Sequence, residues 1–391
     1  MTYFYVVGGL GAIRKRSTLV SAIKRARKSQ VPTPPVPKSW EDMTIPPNLS
    51  TTVGGDAFLA CEETLGGEVH DKIIIFCSNA QKDVMRGADY WMADGTFDVV
   101  SNTLFTQLFI ITSISRTGIT VPTLFAFLPN KETSSYQRCF QFLKDENIDP
   151  PTSLKTDFEK GIVRAFLNVY PDIDVHGCDA HFKRAIRRKL SSTEYGLASL
   201  YATNLEFQTL VRYIWGLSMV PLDQVIITWE GFIHDKYAEM CNRKAFDDYV
   251  EDVEEWLKYF ERTYIGGLNF RTGTRRNPSY PHPFWNKHEQ ILAGDPLTTN
   301  SSEGYNAALA LTLPRNCSIW SVVKQLHTEE NNMLLKLRDA ALGPANNTTT
   351  ANLSRNLSRF SRKEELQTLV KSFPNVTISI FMESVIAYYN K

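Results

Sequence analysis

Three carboxylates stand at positions from which they could act together on a phosphate ester. Asp94 ends an apolar, aromatic run, Asp157 ends a second strand-like run, and Glu303 opens a helix-like stretch. Two acids at strand ends and one on a later helix can converge to hold two divalent cations. Carboxylate oxygens suit Mg²⁺ or Mn²⁺, and such a pair of ions clamps the attacking and leaving oxygens in phosphoryl transfer. The residues therefore predict a metal-dependent phosphoryl-transfer site.

Each acid also has an ordinary structural interpretation. Asp94 precedes Gly95 and could form a turn, while Asp157 could cap the helix that follows it. Glu303 could simply favour the positive end of its helix. We favour the catalytic interpretation because the three acids occur together with one particular order of strands and helices.

That order is read from residues 70–190. Three β-branched and aromatic runs separated by short polar breaks predict a meander, and helical and strand-like spacing then alternate. Strands are expected at 91–100, 106–112, 121–128, 154–158 and 173–176. The resulting order, β-β-β-α-β-α-β-α, is that of the ribonuclease H-like fold. In that fold the first strand is central and the fourth lies beside it, which would bring Asp94 and Asp157 face to face. We therefore predict an α/β fold with a five-stranded mixed sheet and flanking helices.

Composition divides the chain into five segments. Residues 1–52 are a basic, Pro-rich tail, and residues 70–190 are the first part of the catalytic core. Residues 191–295 read as an all-helical insertion that separates the second acid from the third. Residues 296–341 complete the core with the third acid, and residues 342–391 form a linker and a C-terminal tail.

The overall composition excludes several classes of protein. Of 391 residues, 43% are hydrophobic and 22% charged, which is ordinary for a globular protein. The six cysteines form no Cys-x-x-Cys pair, so neither a disulfide framework nor a four-cysteine zinc site is expected. The sequence has no run of 18 apolar residues, so no transmembrane helix is expected. Its apolar start lacks the basic region of a signal peptide. We expect a reducing compartment and no membrane association.

The net charge of +1 identifies no partner, but its distribution does. Residues 1–40 contain eight Lys or Arg and no Asp or Glu, concentrated at 14–16 and 24–28. Such runs are typical of nuclear-import signals or nucleic-acid patches, although a solvated helix is an equal alternative. We expect a nuclear protein that binds DNA.

Three motifs resemble the transposase domain of Mutator-like elements, the MULE family of DDE transposases. They are Trp91-Met92-Ala93-Asp94-Gly95-Thr96-Phe97, Thr156-Asp157-Phe158-Glu159 and Gly177-Cys178-Asp179-Ala180-His181-Phe182. The resemblance covers roughly residues 70–340 and maps the three catalytic acids of the family onto Asp94, Asp157 and Glu303. It implies a cut-and-paste transposase with two Mg²⁺ or Mn²⁺ ions. Such an enzyme acts on transposon ends and target DNA as a homo-oligomer in a synaptic complex.

The Cys/Asp-x-x-His motif of the family maps onto Cys178 and His181. Together with His176 these residues could offer half of a zinc site. Because no fourth ligand stands nearby in the sequence, we expect Cys178 and His181 to order the metal-binding acids from an outer shell.

Full-length MULE transposases usually carry an upstream zinc-binding module that recognises DNA. The residues before the core hold only Cys61 and His70, from which no such module can be built. We therefore expect DNA affinity to rest on phosphate contacts.

Basic residues near the acids are the candidates for those contacts. One group precedes Glu303 and is interleaved with Tyr280, Phe284 and Trp285, which could stack on bases. A second group follows the Cys-x-x-His motif, where a solvated helix face is an equal alternative. The candidates are Arg271, Arg275 and Arg276 in the first group, Lys183, Arg187 and Arg188 in the second, and Lys24, Arg25, Arg27 and Lys28 in the tail.

Two other functions stay open. One is a domesticated, non-catalytic derivative that binds DNA or proteins, against which the presence of all three acids argues. The other is a ribonuclease H-like nuclease with different substrates. The large helical insertion and the missing fourth carboxylate of the usual nuclease pattern argue against that class.

Overall fold

The computed structural model of the chain describes residues 34–65, 72–96, 104–313, 317–342 and 350–390. The basic runs at 14–16 and 24–28 lie outside these residues, and so does the end of the first expected strand.

A mixed sheet is the centre of the fold, which is of the α/β type. Within the described residues it has seven strands in the order β1-β2-β5-β4-β3-β6-β7. Neighbours from β1 to β3 are antiparallel, whereas β6 runs parallel to β3 and β7 parallel to β6. The strands are β1 (Leu59–Thr64), β2 (Lys72–Phe76), β3 (Tyr90–Thr96), β4 (Gln107–Ile114), β5 (Thr120–Leu128), β6 (Ser153–Thr156) and β7 (Asp174–Gly177).

The prediction of five strands is wrong by two, because β1 and β2 extend the sheet beyond β5. Strand β2 lies between two others and is buried on both faces, so its apolar residues do not alternate with polar ones. Strand β1 lies at the edge, where its Cys, Glu and Thr residues give no hydrophobic signal. The five expected strands coincide with β3 to β7.

Helices cover both faces of the sheet and build the remainder of the protein. Those before residue 220 are α1 (Asn79–Arg86), α2 (Thr133–Asp145), α3 (Lys160–Val169), α4 (Asp179–Leu190), α5 (Ala198–Thr203) and α6 (Leu205–Gly216). Those after it are α7 (Val225–Thr228), α8 (His234–Asn242), α9 (Val250–Phe260), α10 (His282–Trp285), α11 (His288–Ala293), α12 (Asn300–Thr312), α13 (Ile319–Ala341), α14 (Thr350–Lys371) and α15 (Ile378–Tyr389). The described helices include none with the length and apolar composition that crossing a membrane requires.

Side chains of the central strands point alternately to the two faces of the sheet and contribute to two separate hydrophobic cores. Phe109 and Ile111 of β4 point to the face covered by α2 and α3, while Leu108 and Ile110 point to the face covered by α12 and α13. Burying one such side chain stabilises the fold by about 1.5–3 kcal/mol. With both faces covered, only the ends of the strands remain for polar side chains that do chemistry.

A third core lies in the segment between α4 and α12. It is built around Trp229, Trp256 and Phe260, and α14 and α15 add Val370 and Phe381 to it. The expected C-terminal tail therefore packs against the insertion. The insertion is not all-helical as predicted, because β8 (Leu268–Asn269) and β9 (Thr274–Arg275) form a short hairpin.

Candidate active site

Asp94 and Asp157 leave the sheet side by side. Ala93 of β3 is paired with Thr156 of the parallel strand β6, and the hydroxyl of Thr156 donates a hydrogen bond of 3.1 Å to the Ala93 carbonyl. Asp94 follows Ala93 within β3, and Asp157 follows Thr156, the last residue of β6. Because parallel strands end at the same edge of a sheet, both carboxylates are presented there.

Both carboxylates are half-buried, and their environment disfavours charge. Burial, and then the charge of Asp157, raise the pKa of Asp94 from 3.8 to about 6, although His181 and Asn306 oppose the shift. Burial also raises the pKa of Asp157, against the backbone N–H of Glu159, which donates to its Oδ1 at 3.0 Å. Two desolvated acids at one sheet edge form a site that a cation would stabilise.

Glu303 reaches the same edge from the first turn of α12. Its Oε2 accepts a hydrogen bond of 3.2 Å from Arg184, and its Oε1 lies 3.4 Å from Nδ1 of His181. Oε1 is buried and has no hydrogen-bond partner in the described part of the chain. The charge of Glu303 contributes to the raised pKa of Asp157. Glu303 therefore lies within electrostatic range of Asp157, although among the described residues the ligand atoms of the three acids do not all lie within 4.8 Å of one another.

The Cys-x-x-His motif lies between β7 and the third acid. Cys178 is buried just before α4, and its Sγ accepts a hydrogen bond of 3.2 Å from the backbone N–H of Thr299. Burial would raise the pKa of the Cys178 thiol, but hydrogen bonds from His181 and Thr299 outweigh it and lower the pKa. The same bond to Cys178 raises the pKa of His181, against burial and with help from the charges of Glu303 and Asp157.

The order of these features along the chain is distinctive: an acid on β3, an acid directly after the parallel strand β6, then Cys-x-x-His after β7. Residues 90–185 match the MULE transposase domain. The MULE match begins with β3 and ends within α4, so the resemblance of the sequence motifs is confirmed over these residues, and a transposase-related function is indicated. Glu303 lies beyond the MULE match. No curated protein matches the chain.

Cys178, His181 and Glu303 also form a group that could hold one metal ion. One ligand atom from each lies within 4.8 Å of the others, and among the described residues this is the one such group. Sulfur, nitrogen and oxygen ligands of this kind suit zinc. The expected ordering role of Cys178 and His181 and this zinc alternative therefore both use the same three side chains.

The cations of α4 divide into bound and exposed ones. The Lys183 ammonium donates a hydrogen bond of 2.7 Å to Asp179 and lies 4.7 Å from the centre of the Tyr389 ring, so it already has its partners. Arg187 and Arg188 are exposed. Phosphate contacts by this helix stay a prediction for those two arginines.

The basic hairpin before Glu303 divides in the same way. Arg271 and Arg276 are exposed, whereas Arg275 is 13% exposed and donates hydrogen bonds to Glu230 at 2.7 and 2.9 Å and to Glu261 at 2.9 Å. Ion pairing with two glutamates holds the Arg275 guanidinium away from any phosphate. Binding of DNA by Arg271 and Arg276 stays a prediction.

Two of the three aromatic residues after the hairpin, Phe284 and Trp285, are buried and so cannot stack on bases as expected, whereas stacking by the half-buried Tyr280 stays a prediction. Trp285 is fully buried and stacks on Phe182 with ring centres 5.2 Å apart. Phe284 is buried against Phe158, and the Tyr280 hydroxyl donates a hydrogen bond of 2.8 Å to the Phe158 carbonyl. The aromatic pattern of this loop reflects its packing beside the residue that follows Asp157.

Two buried lysines near the site were missed from the sequence. Lys155 of β6 is 1% exposed and donates a hydrogen bond of 2.5 Å to Gln290, and burial lowers its pKa to about 8. Lys287 is equally buried and donates to the carbonyl of Gly177, and burial lowers its pKa too. Both tie the strand ends behind Cys178 to the insertion. Neither gives a signal in the sequence, because lysine is normally an exposed residue.

Proposed function

We propose that this chain is the catalytic domain of a DDE-type transposase that cleaves and joins DNA strands with divalent ions at Asp94, Asp157 and Glu303. One observation carries the proposal: Asp94 on β3 and Asp157 directly after the parallel strand β6 are both desolvated at one end of the sheet, and the charge of Glu303 contributes to the raised pKa of Asp157. The MULE match over residues 90–185 supports it independently.

The core strands are proposed to be ribonuclease H-like. In the order β5-β4-β3-β6-β7, strand β3 is central and the parallel strand β6 lies beside it, as expected of the first and fourth strands of that fold. On this view β1 and β2 are additions at the β5 edge. Asp94 then lies on the central strand of this five-strand unit, and Asp157 directly follows its parallel neighbour.

The residues fit two Mg²⁺ or Mn²⁺ ions. The three acids offer only hard carboxylate oxygens, and burial raises the pKa of Asp94 and Asp157, a cost that cations would offset. When bound, such ions stabilise charge on the attacking and leaving oxygens of a phosphodiester. The protein contributes orientation: Asn306 holds Asp94 by a hydrogen bond of 2.7 Å, and Arg184 holds Glu303.

Nicking of supercoiled plasmid in the presence of Mg²⁺ or Mn²⁺ tests the proposal. Asp157→Asn should lower the rate on the order of 10³-fold, because metal-ion catalysis contributes several kcal/mol. Asp89→Asn is the matched control, since Asp89 is exposed immediately before β3, at the opposite end of the strand from Asp94. It should nick at the wild-type rate.

Equal rates for wild type and Asp157→Asn would contradict the proposal. DNA binding without nicking in either metal would instead favour the domesticated, non-catalytic derivative. In the proposed role the partners are transposon ends and target DNA in the nucleus, and a homo-oligomer assembles the synaptic complex. Sedimentation of the purified protein with and without a DNA duplex tests that assembly.

A further inference from the structure

A basic cleft of about 650 Å³ lies where α2 and α3 begin. Three cations line it, Lys131, Lys160 and Arg164, against one acid, Glu132. All three cations are exposed. They belong neither to the hairpin nor to α4, so the cleft is separate from the basic groups that the sequence singled out.

The cleft adjoins the candidate active site. Asp157 directly follows β6, and Lys160 opens α3 three residues later. The hydroxyl of Tyr136 on α2 donates a hydrogen bond to Glu159, two residues after Asp157. A strand of DNA whose phosphate lies at the acids therefore has this cleft directly beside it.

Close packing fixes the shape of the cleft. A Cβ atom on Gly161 would lie 3.2 Å from the Lys131 carbonyl oxygen and 3.2 Å from the Tyr136 ring, so the starts of the two helices touch. The Lys160 ammonium lies 5.2 Å from the centre of the Tyr280 ring. Arg164 follows one turn later on the same helix face. The cations are thus held on packed helices around one concavity.

We propose that this cleft binds the sugar-phosphate backbone of the DNA strand next to the cleavage site, an inference that rests on the proposed function. Ammonium groups contact phosphates as point charges and a guanidinium as a two-pronged donor. Such contacts set the position of a strand without reading its sequence. The cleft would then fix which phosphate enters the site of Asp94 and Asp157.

The test measures binding to a duplex oligonucleotide of arbitrary sequence in EDTA. Fluorescence anisotropy gives the affinity at each of a series of NaCl concentrations. The slope of log affinity against log salt is about −0.9 per phosphate contact. Lys160→Gln combined with Arg164→Gln should make this slope less negative by about 1.8, because two phosphate contacts are lost. The matched control is Lys336→Gln with Arg338→Gln, two exposed cations of α13, whose packed side covers the opposite face of the sheet. It should leave the slope unchanged.

The charge-preserving pair Lys160→Arg and Arg164→Lys should restore the wild-type slope, which separates lost charge from a damaged fold. A wild-type slope in the glutamine pair, or equal flattening in the control, overturns the inference. Flattening with single-stranded RNA and not with duplex DNA overturns it as well. Because no divalent ion is present, the result is independent of catalysis. If the glutamine pair flattens the salt slope but the wild-type protein does not nick DNA, phosphate binding by the cleft is supported and the proposed activity is refuted.

Discussion

The side-chain amide of Asn306 donates a hydrogen bond of 2.7 Å to Oδ2 of Asp94 and so joins α12 to the end of β3. Glu303 lies one turn earlier on the same helix. This bond therefore sets where the third acid stands relative to the first. It joins residues that are 212 positions apart, and the sequence gives no sign of it.

Asn306→Ala should reduce plasmid nicking about 10- to 100-fold, the usual cost of losing a residue that orients a metal ligand. Loss of the bond should cost about 1 kcal/mol of unfolding free energy. Asn306→Asp should be more harmful, because it sets a second negative charge against Asp94. Asn168→Ala, which removes an exposed side-chain bond to Gln137 on α2, is the control. A wild-type rate in Asn306→Ala would show that the bond does not position the site.

The raised pKa of Asp94 predicts a pH dependence of stability without divalent ions. Between the ordinary value of 3.8 and about 6, the folded protein holds a proton on Asp94 that the unfolded chain releases. The contribution of Asp94 to the unfolding free energy should therefore fall as pH rises through this window. Urea unfolding in EDTA should show a shallower decline in Asp94→Asn than in Asp89→Asn. Mg²⁺ should stabilise the wild type at the upper end of the window. Identical pH profiles of unfolding free energy for the two variants would show that Asp94 does not cause this pH dependence.

His181→Ala should lower nicking about 10- to 100-fold with little change in melting temperature, because the imidazole contacts Glu303 and Cys178 at a partly exposed position. His176→Ala is the matched control, since that ring bonds to the Pro283 carbonyl and lies outside the acidic site. It should nick normally. One tightly held zinc per purified chain, lost in His181→Ala, would replace the ordering role by a zinc site on Cys178, His181 and Glu303.

Neighbouring arginines of the hairpin should behave differently. Arg275→Ala leaves Glu230 and Glu261 without their partner and should lower the unfolding free energy by about 1–3 kcal/mol. Arg276→Ala should leave stability unchanged and flatten the salt dependence of DNA binding by about 0.9, the value for one phosphate contact. Denaturant unfolding and anisotropy on both variants check the pair. A flatter salt dependence in Arg275→Ala, in place of Arg276→Ala, would show that the ion pairs of Arg275 open when DNA binds.

Features carried by local pattern could be predicted from the sequence. Asp94 follows the apolar run Tyr90–Ala93 within β3, and Asp157 directly follows the short strand β6, so the position of each acid relative to its strand is read from neighbouring residues. The placement of Cys178 and His181 after β7 follows in the same way. In each case the residues that predict the feature lie within a few positions of it in the sequence.

Features that depend on contacts between distant residues could not be predicted. Strand β2 needs partners on both sides, and its pattern is that of any buried apolar run. Lys155 became a core residue only because Gln290 meets it from a helix 135 positions away. Arg275 looked like a phosphate ligand until the fold supplied two glutamates. Charge and aromaticity in a sequence show what a side chain can do, whereas its partners are set by the fold.

The two ends of the insertion are joined where it leaves the core. The backbone N–H of Asp179 donates a hydrogen bond of 3.0 Å to the Leu297 carbonyl, and that of Thr299 donates to Cys178. The insertion, residues 191–295, lies between these two contacts, so the points where the chain leaves and re-enters the core are held together. Lengthening such a loop costs only about 0.6 kcal/mol per doubling. The insertion can consequently grow, shrink or be rebuilt during evolution while Glu303 re-enters the site at one fixed place.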